Sequence, residues 1–190
     1  MEIVTNQQQK KLHPHKFTLW VAIASILMMF AGLTSAFIVK SNLVGWHDVP
    51  MLKIFWVSTL VILVSSLTIQ MALRAFRQRE MSNYRLLLTV TLVLGLVFVA
   101  LQSYGFSVLW EKYHITFQGS SGAGQFLYII FGLHALHVLG GIVALTVMVI
   151  RAFFGKIKLY SSIPVEVAAT YWHFVDLLWV YLVLFFVIIG

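Results

Sequence analysis

The chain of 190 residues contains no cysteine, only six acidic residues and only three prolines. The missing cysteines exclude disulfides, thiolate metal sites, thioether-attached heme and cysteine nucleophiles. Charged residues make up only 10% of the chain, whereas 61% of it is apolar and the mean hydropathy is +0.93. Soluble globular domains contain about 25% charged residues. The composition therefore predicts a membrane protein.

Five apolar stretches are long enough to cross a bilayer as helices, since one crossing needs about 20 residues. They cover approximately residues 17–39, 52–73, 86–109, 125–150 and 165–189. The predicted connections of about 12 to 15 residues leave no room for a soluble domain or an extramembrane catalytic module. We therefore predict an all-α membrane protein, a five-transmembrane-helix bundle. Residues 1–190 form a single membrane domain, in which residues 1–16 are a polar tail.

The basic residues are distributed unequally between the two sides of the predicted bundle. Ten of the 13 fall on one side, namely Lys10, Lys11, Lys16, Arg74, Arg77, Arg79, Arg85, Arg151, Lys156 and Lys158. By the positive-inside rule the amino terminus is cytoplasmic and the carboxyl terminus lies outside. This rule accounts for the net charge of +7 without a nucleic-acid partner. The cluster of Arg74, Arg77, Arg79 and Arg85 is interpreted as a topology determinant, or as a contact for anionic lipid or an acidic partner.

The fifth predicted helix carries ionisable side chains in a segment that is otherwise apolar enough to span a bilayer. Residues 171–176 read Tyr-Trp-His-Phe-Val-Asp, and Glu166 lies near the start of the same segment. An ionisable side chain near the bilayer centre costs about 2.5–3.5 kcal/mol on insertion scales, so such residues usually face a bundle interior. Glu166, His173 and Asp176 share one helical stripe. We expect this stripe and the adjacent Trp172 to form a polar cluster with another helix.

The fourth predicted helix offers a matching face. Spacings of 3, 4 and 3 place four residues on it, namely His134, His137, Gly141 and Ala144. Gly140 and Ala144 form a Gly-x-x-x-Ala motif, which allows close approach of two helix backbones. Because consecutive spans run antiparallel, His137 lies within about 5 Å of Asp176 in depth. We therefore predict that an imidazole pairs with the buried Asp176 carboxylate.

Three histidines and a carboxylate at one depth also suggest a heme or a metal ion. Two histidines ligate heme in membrane cytochromes, and imidazoles bind copper and zinc. However, His134 and His137 lie three residues apart on one helix and cannot ligate a heme from opposite faces, and no cysteine completes a ligand set. We favour the structural alternative, in which helix-helix hydrogen bonds and Asp176 satisfy His134, His137 and His173.

Four stretches resemble one known family. The most specific is Glu166-x-x-Ala169-x-Tyr171-Trp172-His173-Phe174-Val175-Asp176-x-x-Trp179 in the fifth helix. The others are Phe131-Gly132-Leu133-His134-Ala135-Leu136-His137-Val138, the hydroxyl-rich stretch from Thr59 to Thr68, and Gly95-x-x-Phe98-x-x-x-Gln102. Together they are similar to subunit III of the heme-copper oxidases, the cytochrome c and quinol oxidases, in its five-helix bacterial-type form.

The resemblance implies an accessory subunit of a proton-translocating terminal oxidase of the aerobic respiratory chain, which reduces oxygen to water. This chain would carry no catalytic residue and no cofactor, and the heme and copper would lie in partner subunits. The implied partners are the catalytic subunit I, subunit II, other small membrane subunits and phospholipid, in the bacterial cytoplasmic membrane. The implied role is to support the stability of the catalytic subunit and its access to lipid, oxygen and protons.

Two other functions remain open at this point. An accessory protein of a nitric oxide reductase also resembles subunit III and shares the motif of the last helix. A stand-alone membrane heme or ion-conducting protein would instead be built on the histidines. The three alternatives differ in what co-purifies with the chain: heme with copper, non-heme iron, or a pigment or conductance in the isolated chain.

Overall fold

The computed structural model of the protein describes residues 14–41, 53–113, 122–154 and 162–189. These residues form five helices, α1 Pro14–Ser41, α2 Lys53–Arg77, α3 Met81–Tyr113, α4 Gly122–Phe154 and α5 Ile163–Ile189. All five are long and apolar enough to cross a membrane, and the described ranges contain no strand. The predicted all-α bundle of five spans is confirmed. The cytoplasmic amino terminus and the single domain remain predictions, and residues 1–13 of the predicted polar tail lie outside the described residues.

The connection between α2 and α3 is far shorter than the sequence suggested. α2 continues to Arg77 and α3 begins at Met81, so most of the predicted connection is helical. Arg74 and Arg77 extend the helix because long basic side chains tolerate the membrane boundary and favour a helix C-terminus. The turn is closed by Arg79, which has φ 62°, and by hydrogen bonds from residues 78–80 to carbonyls of the last turn of α2. α2 and α3 therefore form a tight antiparallel hairpin.

The first turns of α1 and α5 contain the residues that typically begin a helix. Pro14 opens α1, and Pro164 is the second residue of α5. Proline is tolerated there because the first backbone N–H groups of a helix have no partner within it. The Glu166 N–H donates to the Ser162 carbonyl at 2.9 Å, which fixes the start of α5. Glu166 is thereby held in the first turn of α5.

The last helix lies at the centre of the bundle. Half of the apolar segment of α5 is buried, compared with 22–28% for the other four helices. α5 packs against α1, α2 and α4, while α3 contacts α2 and α4. A helix with neighbours on three sides must be apolar around most of its circumference or satisfy its polar groups internally. The polar side chains of α5 therefore depend on contacts with its neighbours.

Aromatic rings fill the part of the bundle that is distant from Glu166. Phe131 of α4 stacks on Phe186 of α5 with ring centroids 5.2 Å apart. Phe37 of α1 meets the same Phe186 edge-on at 5.1 Å, and Phe98 of α3 meets Trp179 edge-on at 5.2 Å. Edge-to-face and offset pairs at such distances add about 0.5–1.5 kcal/mol each to the burial of the rings. This half of the core is apolar and holds α1, α3 and α4 around α5.

Candidate functional site

A row of hydrogen bonds joins α2 to α5 through the middle of the bundle. We call it the polar seam, and it comprises Thr59, Ser65, Ser66 and Gln70 of α2 and Trp172, His173 and Trp179 of α5. The indole N–H of Trp172 donates to the Ser65 hydroxyl at 3.1 Å, and that of Trp179 donates to Thr59 at 3.0 Å. Both indoles are only 1% exposed. Each buried indole N–H thus has the partner that a membrane interior requires.

His173 is bound through both of its ring nitrogens. Nδ1 lies 2.6 Å from the Ser66 hydroxyl, and Nε2 lies 3.2 Å from the Gln70 side-chain oxygen. The Gln70 side-chain oxygen can only accept, so Nε2 carries the hydrogen of that bond, while the Ser66 hydroxyl can donate to Nδ1 or accept from it. His173 is held by two residues of α2.

Trp172 fills the space between α3 and α4. A Cβ atom added at Gly95 would lie 2.9 Å from one edge of the indole, and one added at Gly141 would lie 2.9 Å from another. Two glycines from different helices thus form the slot that receives this side chain. The predicted Gly-x-x-x-Ala contact is wrong, because Gly140 and Ala144 are exposed and Gly141 is the residue that faces α5. The slot requires glycine for space, since larger residues would overlap the ring.

The predicted bond between His137 and Asp176 does not form. His137 Nδ1 donates to the Leu133 carbonyl of its own helix at 2.7 Å. Asp176 is only 3% exposed, yet neither of its oxygens has a hydrogen-bond partner within the described ranges. A similar depth in the bundle does not bring His137 and Asp176 together, because their side chains face different neighbours. The imidazoles of α4 face α1 and the aromatic core, whereas Asp176 faces the seam. The ring of Phe30 of α1, 6.0 Å from that of His137, illustrates the difference.

His134 lies in an aromatic environment. It is 2% exposed, and its ring centroid is 5.3 Å from that of Trp179 at an interplanar angle of 31°. Phe98 approaches it edge-on at 6.4 Å, and neither ring nitrogen has a partner among the residues that the structure describes. The six predicted cluster residues are thus divided: Trp172 and His173 form hydrogen bonds in the seam, whereas the side chains of His134, His137, Asp176 and Glu166 form none there among the described residues. Within the described ranges, no three His, Asp or Glu side chains are grouped so that they could hold a metal ion.

Glu166 connects three helices at one end of the bundle. Its two carboxylate oxygens contact Lys16 of α1 at 2.7 Å and Arg77 of α2 at 3.1 Å. These residues line a cleft of about 270 Å³ together with Trp20 and Thr170. Glu166 lies in the first turn of α5. The sequence did not identify its two partners, although the charge asymmetry predicts basic side chains at this end of the bundle.

The four arginines proposed as a contact region surround the α2–α3 turn. Arg74, Arg77 and Arg79 are exposed. The guanidinium of Arg85 is partly covered and lies over the Phe153 ring of α4, 5.6 Å from its centroid. Cation–π contacts of this kind add about 0.5–1 kcal/mol at exposed sites. Three of the four arginines are therefore accessible, and Arg85 also has a role within the bundle.

Sequence reasoning missed the α2 half of the seam, although a signal was present. Thr59 and Ser66 are seven residues apart and Gln70 follows four residues later, which places all three on one face of α2. Because α2 and α5 run antiparallel, this face can meet His173 and Trp179 of α5.

Glu166→Gln is expected to destabilise the bundle more than Asp176→Asn. The first change removes the charge that holds Lys16 and Arg77, whereas the second removes no hydrogen bond among the residues that the structure describes. The side chains of Lys16 and Arg77 are 41% and 59% exposed, so solvent screening limits the loss to about 1 kcal/mol. Thermal unfolding in mild detergent measures both variants.

Glu80→Gln is the matched control for this comparison. Glu80 is exposed, and its carboxylate accepts a hydrogen bond from Asn83 in the first turn of α3, a contact within one helix start. Its replacement is expected to leave the unfolding temperature unchanged. A larger loss for Asp176→Asn than for Glu166→Gln would show that Asp176 has a partner after all.

The fold and the seam define a multi-span helical membrane protein built around an apolar last helix that carries a few buried polar side chains. The family model described as "Cytochrome c oxidase subunit III" matches residues 15–190. The chain belongs to this family.

Several bacterial proteins of the same name are similar to the chain. A probable cytochrome c oxidase subunit 3 of Nocardia farcinica is 35% identical over 167 residues, which cover 83% of this chain and 79% of that protein. That of Mycobacterium tuberculosis is 33% identical over 165 residues, covering 84% and 80%. Cytochrome c oxidase subunit 3 of Bacillus subtilis is 29% identical over 168 residues, covering 86% and 80%. The predicted resemblance is confirmed, and these relatives give no support to the nitric oxide reductase alternative.

Proposed function

We propose that this chain is the non-catalytic subunit III of a proton-translocating heme-copper terminal oxidase that reduces oxygen to water. The observation that carries the proposal is the family match, which extends from residue 15 to residue 190. In this proposal the heme and copper belong to partner subunits, and the chain itself holds no cofactor. The donor set supports this division, because His134 and His137 share one helix and cysteine is absent.

A supporting role agrees with how the polar side chains are used. Trp172, His173 and Trp179 each bind α2, and Glu166 binds both α1 and α2. These groups hold the helices together, and among the described residues no three His, Asp or Glu side chains are grouped so that they could hold a metal ion. The bundle can thus cover one flank of a catalytic subunit. Its contribution would be to the endurance of that subunit rather than to the reaction.

The outer surface supports partners within the membrane. Large apolar side chains are exposed along all five helices, including Trp56 of α2, Leu96 of α3 and Leu136 of α4. Such faces can pack against lipid tails or against other membrane subunits. We propose that the partner subunits are subunit I, subunit II and small membrane subunits. An apolar groove of about 360 Å³ between α1 and α5, lined by Leu27, Leu177 and other residues, suits a phospholipid chain.

The bacterial cytoplasmic membrane is the proposed location, since the relatives named above are bacterial. The arginines at the α2–α3 turn and Lys16 of α1 lie at the same end as Glu166, which supports a cytoplasmic position for that end. Arg74, Arg77 and Arg79 are exposed there and can meet anionic phospholipid head groups.

Purification of the chain with its partners tests the proposed function. An amino-terminal affinity tag and a mild detergent are expected to recover a complex that contains a large heme-bearing subunit. Its reduced-minus-oxidised spectrum should show a-, o- or b-type heme, and elemental analysis should show copper. Mass identification of the co-purified chains then establishes the partner subunits.

Two results would contradict the proposal. A complex with non-heme iron in place of copper would indicate a nitric oxide reductase. A stoichiometric Soret band in the chain purified alone would place a heme on this chain. The same preparation with an unrelated tagged five-span membrane protein controls for non-specific capture of the oxidase.

A further inference from the structure

Two facing helices, α3 and α4, each carry a polar side chain whose buried atoms are not hydrogen-bonded to the protein. The side-chain oxygen of Gln102 and both ring nitrogens of His134 have no partner within the described ranges. His134 as a whole is 2% exposed. Buried polar atoms in native proteins nearly always have a partner, and a membrane interior makes this requirement stricter. These atoms therefore require a ligand that the side chains do not supply.

Gln102 and His134 lie at the same depth of the bundle. One turn before Gln102, the Phe98 ring lies 6.4 Å from the His134 ring. One turn after Gln102, the Phe106 ring lies 5.5 Å from the ring of Phe131, which precedes His134 by one turn of α4. Gln102 is thus bracketed by two contacts with the same stretch of α4.

Both side chains also border the surroundings of the Trp179 indole. The His134 ring lies 5.3 Å from that indole. The Gln102 amide N–H donates to the Ser58 hydroxyl of α2 at 2.9 Å, and the next residue, Thr59, accepts the Trp179 indole N–H at 3.0 Å. Gln102 therefore reaches into the bundle, toward the region that the imidazole also borders.

The hydroxyl groups beside the Gln102 amide cannot supply its oxygen with a hydrogen. The Ser58 hydroxyl donates to the Phe55 carbonyl at 3.0 Å, and the Thr59 hydroxyl donates to the same carbonyl at 2.7 Å. Gln102 and His134 are not directly hydrogen-bonded to each other. Because the unpartnered atoms are buried, lipid and partner subunits cannot reach them.

We propose that a buried water molecule binds between the Gln102 side-chain oxygen and the His134 imidazole. The amide oxygen can only accept, so the water donates one hydrogen to it, and the water oxygen accepts the imidazole N–H. Buried waters typically serve polar groups that would otherwise remain unpaired, and two such partners are enough to hold one. The water thus links α3 to α4 beside Trp179. This site belongs to the chain itself and is independent of the proposed function.

High-resolution electron cryomicroscopy of the complex that co-purifies with this chain tests the proposal. The wild-type map is expected to show one ordered density within about 2.7–3.2 Å of both the Gln102 oxygen and an imidazole nitrogen of His134. Gln102→Met keeps a side chain of similar length and removes the acceptor. The density should be absent from the map of this variant.

Thermal unfolding in mild detergent tests whether the two side chains act through one water. Gln102→Met and His134→Phe are each expected to lower the unfolding temperature by about 2–4 °C. The double variant should unfold at nearly the same temperature as the less stable single variant, because either change already removes the water.

Ser103→Ala is the matched control. Ser103 is the neighbour of Gln102 on α3, but it is exposed and donates to the Val99 carbonyl of its own helix. Its replacement should keep the density, and its effect should add to that of His134→Phe.

The wild-type map alone can overturn the proposal, so the test does not depend on the assembly of the variants. A direct hydrogen bond between Gln102 and His134 in that map would exclude the water. A space between the two side chains without density would exclude it as well. Additive losses for Gln102→Met and His134→Phe would show that no shared ligand couples them.

Discussion

Gly141→Ala is expected to destabilise the bundle by about 1–3 kcal/mol, although the same change in an open helix is favourable by up to about 1 kcal/mol. The added methyl carbon would lie 2.9 Å from the Trp172 ring, closer than any normal contact. The ring cannot retreat, because Gly95 closes the opposite side of the slot and Ser65 holds the indole N–H. Thermal unfolding of the purified protein in detergent measures the loss.

The neighbouring glycine provides the control for this prediction. A methyl carbon at Gly140 would meet only the Tyr171 hydroxyl at 3.7 Å, which is an ordinary contact. Gly140→Ala is therefore expected to be neutral or slightly stabilising. The smaller ring of Trp172→Phe should partly rescue Gly141→Ala in a double-mutant cycle. Equal stability of the two alanine variants would show that the slot is not tight.

Loss of the whole chain is expected to shorten the working life of the oxidase and to spare its chemistry. The remaining complex should keep its heme and copper spectrum and its initial rate of oxygen consumption, since the proposal places the metal ligands elsewhere. One flank of the catalytic subunit would then meet lipid in place of the bundle. Activity should decay over successive turnovers, or the yield of complex should fall. An oxygen electrode and heme quantification on a deletion strain measure both.

Complementation separates the loss of endurance from an effect of the deletion on the expression of neighbouring genes. The wild-type chain supplied in trans should restore endurance, and Gly140→Ala should restore it equally well. Immediate loss of all activity in a complex with intact heme and copper would contradict the proposed role. It would place an essential step on this chain, and His134, His137, His173 and Asp176 would be the first residues to examine.

The five spans were predictable because hydropathy depends on composition along the chain and needs no knowledge of the neighbours. The helix ends were not, since Arg74 and Arg77 continue α2 beyond its apolar part through long side chains. The burial of Asp176 also followed from the sequence, because an ionisable group in lipid is costly whatever its neighbours are. Asp176 is 3% exposed, whereas Glu166 and His173 of the same predicted stripe are only partly buried.

The contacts between side chains of different helices could not be predicted from the sequence. The depth of a residue follows from the helical rise, but the direction in which each helix face points depends on packing against all the other helices. His137 and Asp176 therefore have similar depth and no contact, whereas His173 finds Ser66 and Gln70. The slot for Trp172 depends on Gly95 and Gly141, which belong to two helices and carry no chemical signal of their own. Such fits appear only when the backbones are placed together.

The central position of α5 has a consequence for synthesis in the cell. The ribosome synthesises α1 to α4 before α5, so the bundle lacks its central helix until the end of translation. Until then Ser65, Ser66, Gln70 and Thr59 of α2 lack their partners from α5, and the slot beside Gly95 and Gly141 is empty. Interruption of translation before α5 would leave the incomplete chain without these contacts to α5, a state that membrane proteases and chaperones can recognise.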